Sequence, residues 1–376
     1  MNRRDAFTAA MNHEDGAPLF VDFGKHIGSP HLTMYKKLKE YLNTLDFPEE
    51  ERIIDRMAQT CCVDECLLKE FDVDFRWLTP DLTVGSEEVD DKHYKDMWGV
   101  LFQYTGDHWA IVGSPLADAE DEEDILAAHY PDPHNPALFA GLEEKAKDLY
   151  ENTDYVLGAD GLKCGLLQTA LQMRGYEDFM CDLMADEDFA NALLDKLLEV
   201  QKEMWTEFLN RVGKYVQLVY LTDDYGTQDS LLISPDIFRQ YIKPRNEELI
   251  RHIKSLADVK IMFHCDGSIL PILDDMIKMG VDIINPVQTS TESMKDTAML
   301  KERFGSRLNF HGAIDVQQIL PNASISEIKE EVRKRVQDLW AGKGGYILAP
   351  CHNIGHDIEP EKLTAVFEAV KELRRS

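Results

Sequence analysis

The sequence predicts an α/β chain folded as a (β/α)8 TIM barrel, and three observations carry the prediction. From residue 155 onward, short apolar segments of strand character alternate with helical patterns, the signature of βαβ units and a parallel sheet. No strand is followed by Gly-x-Gly-x-x-Gly and no Gly-x-x-x-x-Gly-Lys occurs, so an open nucleotide-binding sheet lacks its phosphate loop. Nearly every apolar segment ends in a carboxylate, a histidine or an amide, and a barrel gathers such ends on one face, where its active sites are built. At least seven candidate parallel strands are present, counting two near the N-terminus.

In chain order, residues 1–14 read as a short amphipathic helix, with neither the apolar core nor the cleavage site of a signal peptide. Residues 17–24 form an apolar strand ending in Asp22 and Gly24. The segment from Leu42 to Leu68 looks helical, with an acidic start at Glu49, Glu50 and Glu51, and residues 71–78 alternate at period two as a strand. Aromatic and charged residues alternate over 84–113 around a Gly106-Asp107 turn signal, which predicts a β-hairpin insertion. The N-terminal third is therefore a helical and hairpin elaboration of the barrel.

Later strands are expected at 155–158, leading to Asp160, and at 215–221, leading to Asp223 and Asp224. Ser234 and Pro235 then supply an N-cap and a first-turn proline, with Pro244 marking a kink or break in the helix that follows. Strands at 260–263, 281–284, 308–310 and 346–348 lead to His264, Asn285, His311 and Cys351-His352 respectively. Gly280 closes one intervening helix, Ser324 with Glu327 opens another as a capping box, and the last helix starts at Pro360. No linker or low-complexity stretch interrupts residues 1–376, so one elaborated domain is the economical reading.

Acidic residues outnumber basic ones 69 to 40, a net charge of −29, which repels nucleic acid and anionic membranes and gives no help to a polyanionic substrate. No run of about 18 apolar residues is present to span a bilayer. Seven scattered cysteines, an odd number, argue for reduced thiols in the cytoplasm. Cys61, Cys62 and Cys66 are read as helix packing, with Cys62 and Cys66 one turn apart.

The candidate site collects Asp22, Asp160, Asp223, Asp224, His264, Asp266, Gln288, His311, Asp315 and His352 from the strand ends. His264 and Asp266 are two apart, so both side chains can face the same way, and His352 sits at the matching point of the last strand. Two histidines and a carboxylate make a sound site for zinc or another divalent ion, with Cys265 and Cys351 as alternative thiolate ligands. A hydrogen-bonded His–Asp pair without a metal satisfies the same spacing.

Six stretches carry a family resemblance: residues 223–228 (DDYGTQ), 233–239 (ISPDIFR), 264–268 (HCDGS), 280–288 (GVDIINPVQ), 310–315 (FHGAID) and 344–354 (GGYILAPCHNI). With them the chain resembles the uroporphyrinogen decarboxylase-like superfamily over essentially its whole length, and looks closest to the branch associated with cobalamin-dependent methyl transfer. The resemblance implies a (β/α)8 barrel. It also implies zinc held by a His-x-Cys pair and a later Cys, positions that fall here on His264, Asp266 and His352, or on Cys351 if the register slips by one. The departure from thiolates leaves the ion more electrophilic towards oxygen.

On this reading the chain is a methyltransferase or demethylase that moves a methyl group from a small O- or N-methyl donor to a corrinoid protein, the partner that carries cobalamin. His264, Asp266 and His352 are the expected metal ligands, Asp223, Asp224 and His311 the catalytic groups, and Asp22, Asp160, Gln288 and Asp315 the substrate contacts. Two alternatives stand beside it: uroporphyrinogen decarboxylation, with Asp223 or Asp224 handling protons, and a non-catalytic ligand-binding barrel. The decarboxylases clamp carboxylates with an Arg-x-x-x-Arg-Tyr stretch after the first strand, where this chain has Lys25 and no arginine over 22–31. The reading leaves room for a homodimer.

Overall fold

Eight parallel strands form one sheet that curls towards closure: β1 (Phe20–Val21), β2 (Phe75–Leu78), β3 (Val156–Ala159), β4 (Leu218–Thr222), β5 (Lys260–His264), β6 (Ile283–Asn285), β7 (Asn309–Ile314) and β8 (Tyr346–Pro350). In this computed structural model, which describes residues 2–14 and 16–375, neighbours follow chain order from β2 to β8, and β8 pairs with β1. This is the (β/α)8 barrel that the alternating pattern predicts.

Strand side chains alternate between the barrel interior and the helical layer. Phe20, Phe75, Trp77, Val156, Leu218, Tyr220, Met262, Ile283 and Ile347 form one buried cluster inside the ring. The helix Arg3–Met11 contributes Phe7 to that cluster, with edge-on contacts 5.7 Å from the rings of both Phe20 and Phe75. The room for Trp77 comes from Gly158 on the next strand, where a Cβ would lie 2.3 Å from the indole. Continuing the same period upward along each strand brings Asp22, His264, Asn285 and His311 to the interior above this floor. The register sets His264 directly beside Asn285.

β1 and β2 share no ladder, and the seam between them is closed by Asp74. Its backbone N–H donates to the Val21 carbonyl at 3.0 Å, and its carboxylate accepts the Val21 N–H at 2.8 Å. The same carboxylate takes Arg3 Nε at 3.2 Å and Arg374 of the last helix (Pro360–Arg375), so both ends of the described chain are tied to the seam.

Three local expectations are corrected. Leu42 to Leu68 is not a helix. A helix at Leu32–Tyr41 precedes it, and the segment itself holds two short antiparallel strands, Ile53–Asp55 and Thr60–Cys61, and a helix at Glu65–Glu70. The β-branched Ile53, Ile54 and Thr60 suit a strand, and Asp55 accepts the Met57 and Ala58 N–H groups to make the turn. Cys62 therefore lies outside the helix that holds Cys66.

Residues 84–113 make four antiparallel strands (Glu87–Asp90, His93–Lys95, Leu101–Tyr104 and Trp109–Gly113) where one hairpin was expected. The extra reversals are turned by Asp90 and by Asp96, which accept nearby backbone N–H groups. The third correction refines the effect of Pro244: the helix from Ser234 passes through a π turn at Phe238–Ile242 and resumes at Lys243–Leu256. A proline there cannot donate to the preceding turn. Among the described residues no helix is long and apolar enough to cross a membrane.

Candidate metal centre at the barrel mouth

His264 ends β5, Asp266 follows two residues later, and His352 lies two residues past Pro350 at the end of β8. Asp266 Oδ2 sits 3.5 Å from Nε2 of His264 and 3.5 Å from Nε2 of His352. One ligand atom from each residue falls within 4.8 Å of the others, and among the described residues no further group of three or more His, Cys, Asp or Glu meets that condition. The His264 side chain is 1% exposed and the His352 side chain 41% exposed, so the group is anchored inside and open at the top.

Electrostatics follow from this packing. Burial alone would raise the Asp266 carboxyl, but the two neighbouring histidines pull it down to about 2. Burial works against a charged His264, yet the adjacent Asp266 carboxylate outweighs it and raises the imidazole above its ordinary value.

The orientation of His264 is fixed from below. Its Nδ1 lies 2.7 Å from Oδ1 of Asn285, an atom that can only accept, so Nδ1 carries a proton. Nε2 is then the nitrogen turned towards Asp266, the one that would offer a metal its lone pair once its own proton is displaced. Tyr220 donates to the same oxygen at 3.2 Å. The Asn285 amide donates to His311 Nδ1 at 2.6 Å, which leaves His311 Nε2–H to donate to Asp22 at 2.9 Å. Trp77 Nε1 completes the line on Asp22 at 2.9 Å. Burial lowers the His311 pKa, while His311, Lys25 and the Trp77 hydrogen bond together outweigh burial at Asp22 and lower its carboxyl. A hydrogen-bonded second layer of this kind is what sets the tautomer of a metal-ligating histidine.

The other expected site residues fall in distinct places. Asp224 belongs to the mouth: one oxygen accepts the Asp266 N–H at 2.8 Å and lies 3.9 Å from His264 Nε2, and the other accepts from Gln168 at 2.6 Å. Asp223 is turned aside. Its oxygens accept the Leu167 and Gln168 N–H groups at 2.9 Å each and the Tyr225 hydroxyl at 3.0 Å, and burial pushes its carboxyl up to about 7.

Gln288, Asp315, Cys351, Asp266 and His352 line one cavity of about 150 Å³ beside the triad. Gln288 accepts the Gly267 N–H at 2.6 Å, which ties the loop after Asp266 to this wall. Asp160 instead anchors the first loop, accepting the His26 N–H at 2.9 Å and the Thr79 hydroxyl at 2.7 Å.

Both alternative thiols are engaged elsewhere. Cys265 accepts the Tyr225 N–H at 3.2 Å, and Cys351 donates to the Val287 carbonyl at 3.2 Å. Burial raises both thiols, Cys351 to about 12, which opposes thiolate ligation.

Two residues were not singled out in the sequence. Asn285 stood at a strand end, but as a neutral amide before a proline it carried no signal of its role. Lys25 is 2% exposed and bonds the Ile27 carbonyl, with its ammonium 5.1 Å above the Tyr220 ring. Burial lowers its pKa against the opposing pull of Asp22, Asp160 and Asp266, the carboxylates of the site that surround it. The signal was a lysine directly after the first strand.

An imidazole, a carboxylate and a second imidazole converging with an open side fit a divalent ion of zinc type, with a fourth position left for water or substrate.

Comparison with known proteins agrees with this architecture. A methyltransferase from Methanosarcina mazei superposes with a TM-score of 0.68 at 18% identity, covering 99% of this chain and 99% of that one, which establishes the shared fold. A uroporphyrinogen decarboxylase from Schizosaccharomyces pombe is 24% identical over 255 residues, 62% of this chain and 67% of that protein. The family model described as uroporphyrinogen decarboxylase (URO-D) matches residues 161–373, the stretch that supplies β4 to β8 and all three members of the triad. The chain belongs to the uroporphyrinogen decarboxylase (URO-D) family.

Proposed function

We propose that this protein is a metal-assisted methyltransferase or demethylase that passes a methyl group from a small O- or N-methyl donor to the corrinoid of a partner protein. The observation that carries the reading is the His264–Asp266–His352 triad, with His264 Nε2 turned towards Asp266 beside a cavity of about 150 Å³. A zinc-like ion held by these three residues supplies Lewis-acid polarisation of the donor's oxygen or nitrogen. The chain's own groups do the rest. Asn285, His311 and Asp22 hold the His264 ring in place, Gln288 and Asp315 border the space for the donor, and Asp224 flanks the triad 3.9 Å from His264 Nε2. The cavity suits a small donor rather than a tetrapyrrole. Free thiols at all seven cysteines fit a reducing, cytoplasmic setting.

Uroporphyrinogen decarboxylation is the second reading, and one observation favours it: Asp223, pushed up to about 7 by burial, is an acid poised near neutrality. Against it stand the carboxyl oxygens of Asp223, already committed to two backbone N–H groups and Tyr225, and the lack of arginine after β1. Protein purified without chelator, mixed with a reduced corrinoid protein and a panel of O- and N-methyl donors, is expected to form methylcobalamin. Conversion of uroporphyrinogen to coproporphyrinogen, with no methyl transfer from any donor, gives the decision to the second reading.

A further inference from the structure

The four-stranded sheet roofs a second cleft on the mouth side of the barrel, away from the triad. His26 past β1, Lys163 past β3, and Gln172 on the helix Leu166–Arg174 form its floor, and Tyr94, Met97 and Phe102 line the roof. Gln168, one turn earlier on that helix, is the residue that holds Asp224. The cleft therefore lies about 6 Å of helix rise from the edge of the metal centre.

The size, wall chemistry, charge and unpartnered polar atoms of the cleft bear on what it holds. Its volume is about 100 Å³. An engineered apolar cavity of about 150 Å³ accepts benzene, so this cleft, open on one side, admits at most a single ring. Its apolar wall is aromatic and thioether, with Tyr94 and Phe102 stacked at 5.0 Å and Met57 and Met97 beside them. Aromatic rings and sulfur both favour contact with a flat π surface.

Its charges cancel in pairs: Lys163 with Asp96, His26 Nε2 with Asp55 at 3.3 Å, and Arg56 with Glu88. Four buried polar atoms in these walls lack a hydrogen-bond partner: Lys163 Nζ and Asp96 Oδ2, which face each other as an ion pair, and His26 Nδ1 and Gln172 Oε1, which face no opposite charge. A buried donor or acceptor left alone is costly, so the latter pair marks a place where something else completes the bonding.

The geometry points to a ligand site under the four-stranded sheet for a small neutral compound of one-ring size bearing a hydroxyl. The hydroxyl donates to Gln172 Oε1 and bonds His26 Nδ1, while the ring packs against Tyr94, Phe102 and the methionines. The hydroxyl's one proton goes to Gln172 Oε1, so its oxygen accepts from Nδ1–H of the imidazolium that His26 forms against Asp55. Balanced charge in the walls gives an anionic ligand no net attraction. The site is independent of methyl transfer and stands or falls on binding alone.

Binding of phenol, toluene and benzoate to the full-length protein, by calorimetry and ligand-observed NMR, tests the assignment. Phenol is expected to bind, and toluene to bind roughly 10- to 100-fold more weakly, because it leaves both polar atoms alone. Gln172→Leu should remove most of the preference for phenol, and Ser86→Leu, which fills the cleft from the roof side, should weaken phenol and toluene together. Melting temperature and metal content serve as checks that both variants fold. Undetectable phenol binding, equal affinity for toluene, tighter binding of benzoate, or phenol binding untouched by both variants would each overturn the proposal.

Discussion

His264 and Asn285 are neighbours across the β5–β6 pair, and a 2.7 Å hydrogen bond from the imidazole Nδ1–H to the amide oxygen turns Nε2 towards the barrel mouth. An imidazole free to flip would offer either nitrogen, and one of the two would carry a proton where a ligand needs a lone pair. The amide removes that choice.

Asn285→Ala is expected to leave His264 Nδ1, the Tyr220 hydroxyl and His311 Nδ1 without a partner, at a cost of at least about 2 kcal/mol of stability. Metal affinity should fall by roughly 10- to 100-fold, as for other losses of a second-layer contact to a metal-bound histidine. Asn285→Asp keeps an acceptor for His264 and should lose less affinity than Ala. Competitive titration with a zinc-sensitive dye reads the affinities, and equal binding in wild type and Asn285→Ala would remove Asn285 from the account.

The three ligands should be unequal. His264 is enclosed and oriented, whereas His352 is open and rests only near Asp266, so His264→Ala should lose the metal and His352→Ala should retain a weakened site. Elemental analysis of both variants, purified without chelator, checks the order. Full metal retention in His352→Ala would exclude it as a ligand.

Asp74 closes the barrel seam, and its loss isolates the Val21 N–H and takes one carboxylate from Arg3, which keeps Asp154, and from Arg374, which keeps Asp72. Asp74→Ala is expected to cost roughly 3 kcal/mol, the scale for removing one partner from a buried ion pair. Asp74→Asn keeps the bond to Val21 and should cost less. Urea denaturation midpoints compare the two, and equal midpoints would mean that the seam does not depend on the side chain.

The buried His26–Asp55 pair makes stability depend on pH. Burial disfavours the charged imidazole, but Asp55 outweighs it and the His26 pKa rises above its unfolded value of about 6.5. Its contribution is therefore complete below about pH 6.5 and is lost as pH rises through the raised value. Between pH 6 and 9, wild type should lose melting temperature that His26→Gln does not lose, a difference read by thermal scans of both proteins across that range. Parallel curves would show that the pair is not charged in the folded state.

Strand ends were legible because a barrel forces one periodicity on every strand. His264 and Asp266 could be paired from parity, and so could the inward turn that separates His264 from Cys265. His352, by contrast, is out of phase with the inward Ile347 and reaches the site because the chain leaves strand geometry after Pro350. Where function depends on a pairing rather than on residue type, the sequence was silent. Asn285 matters through its register with His264, and Lys25 through the fold of its loop.

The helical reading of 42–68 failed for another reason. Acidic residues in a row resemble a first helical turn, while the strand pairing of Ile53 with Cys61 is a tertiary fact. The four-stranded sheet likewise hid its extra turns in aspartates that cap backbone groups, a chemistry shared by loops and helix ends.

The central claim, that a metal on the triad enables methyl transfer to a corrinoid, is tested most directly by one absorbance measurement. Reduced corrinoid protein, methyl donor and enzyme are mixed, and methylcobalamin formation is followed for the wild type and His264→Ala, each with and without added zinc. The account predicts methylcobalamin from the wild type with zinc, loss of the signal on chelation, and none from His264→Ala under any metal. Methyl transfer at the same rate in the chelated wild type, or in His264→Ala, would contradict it.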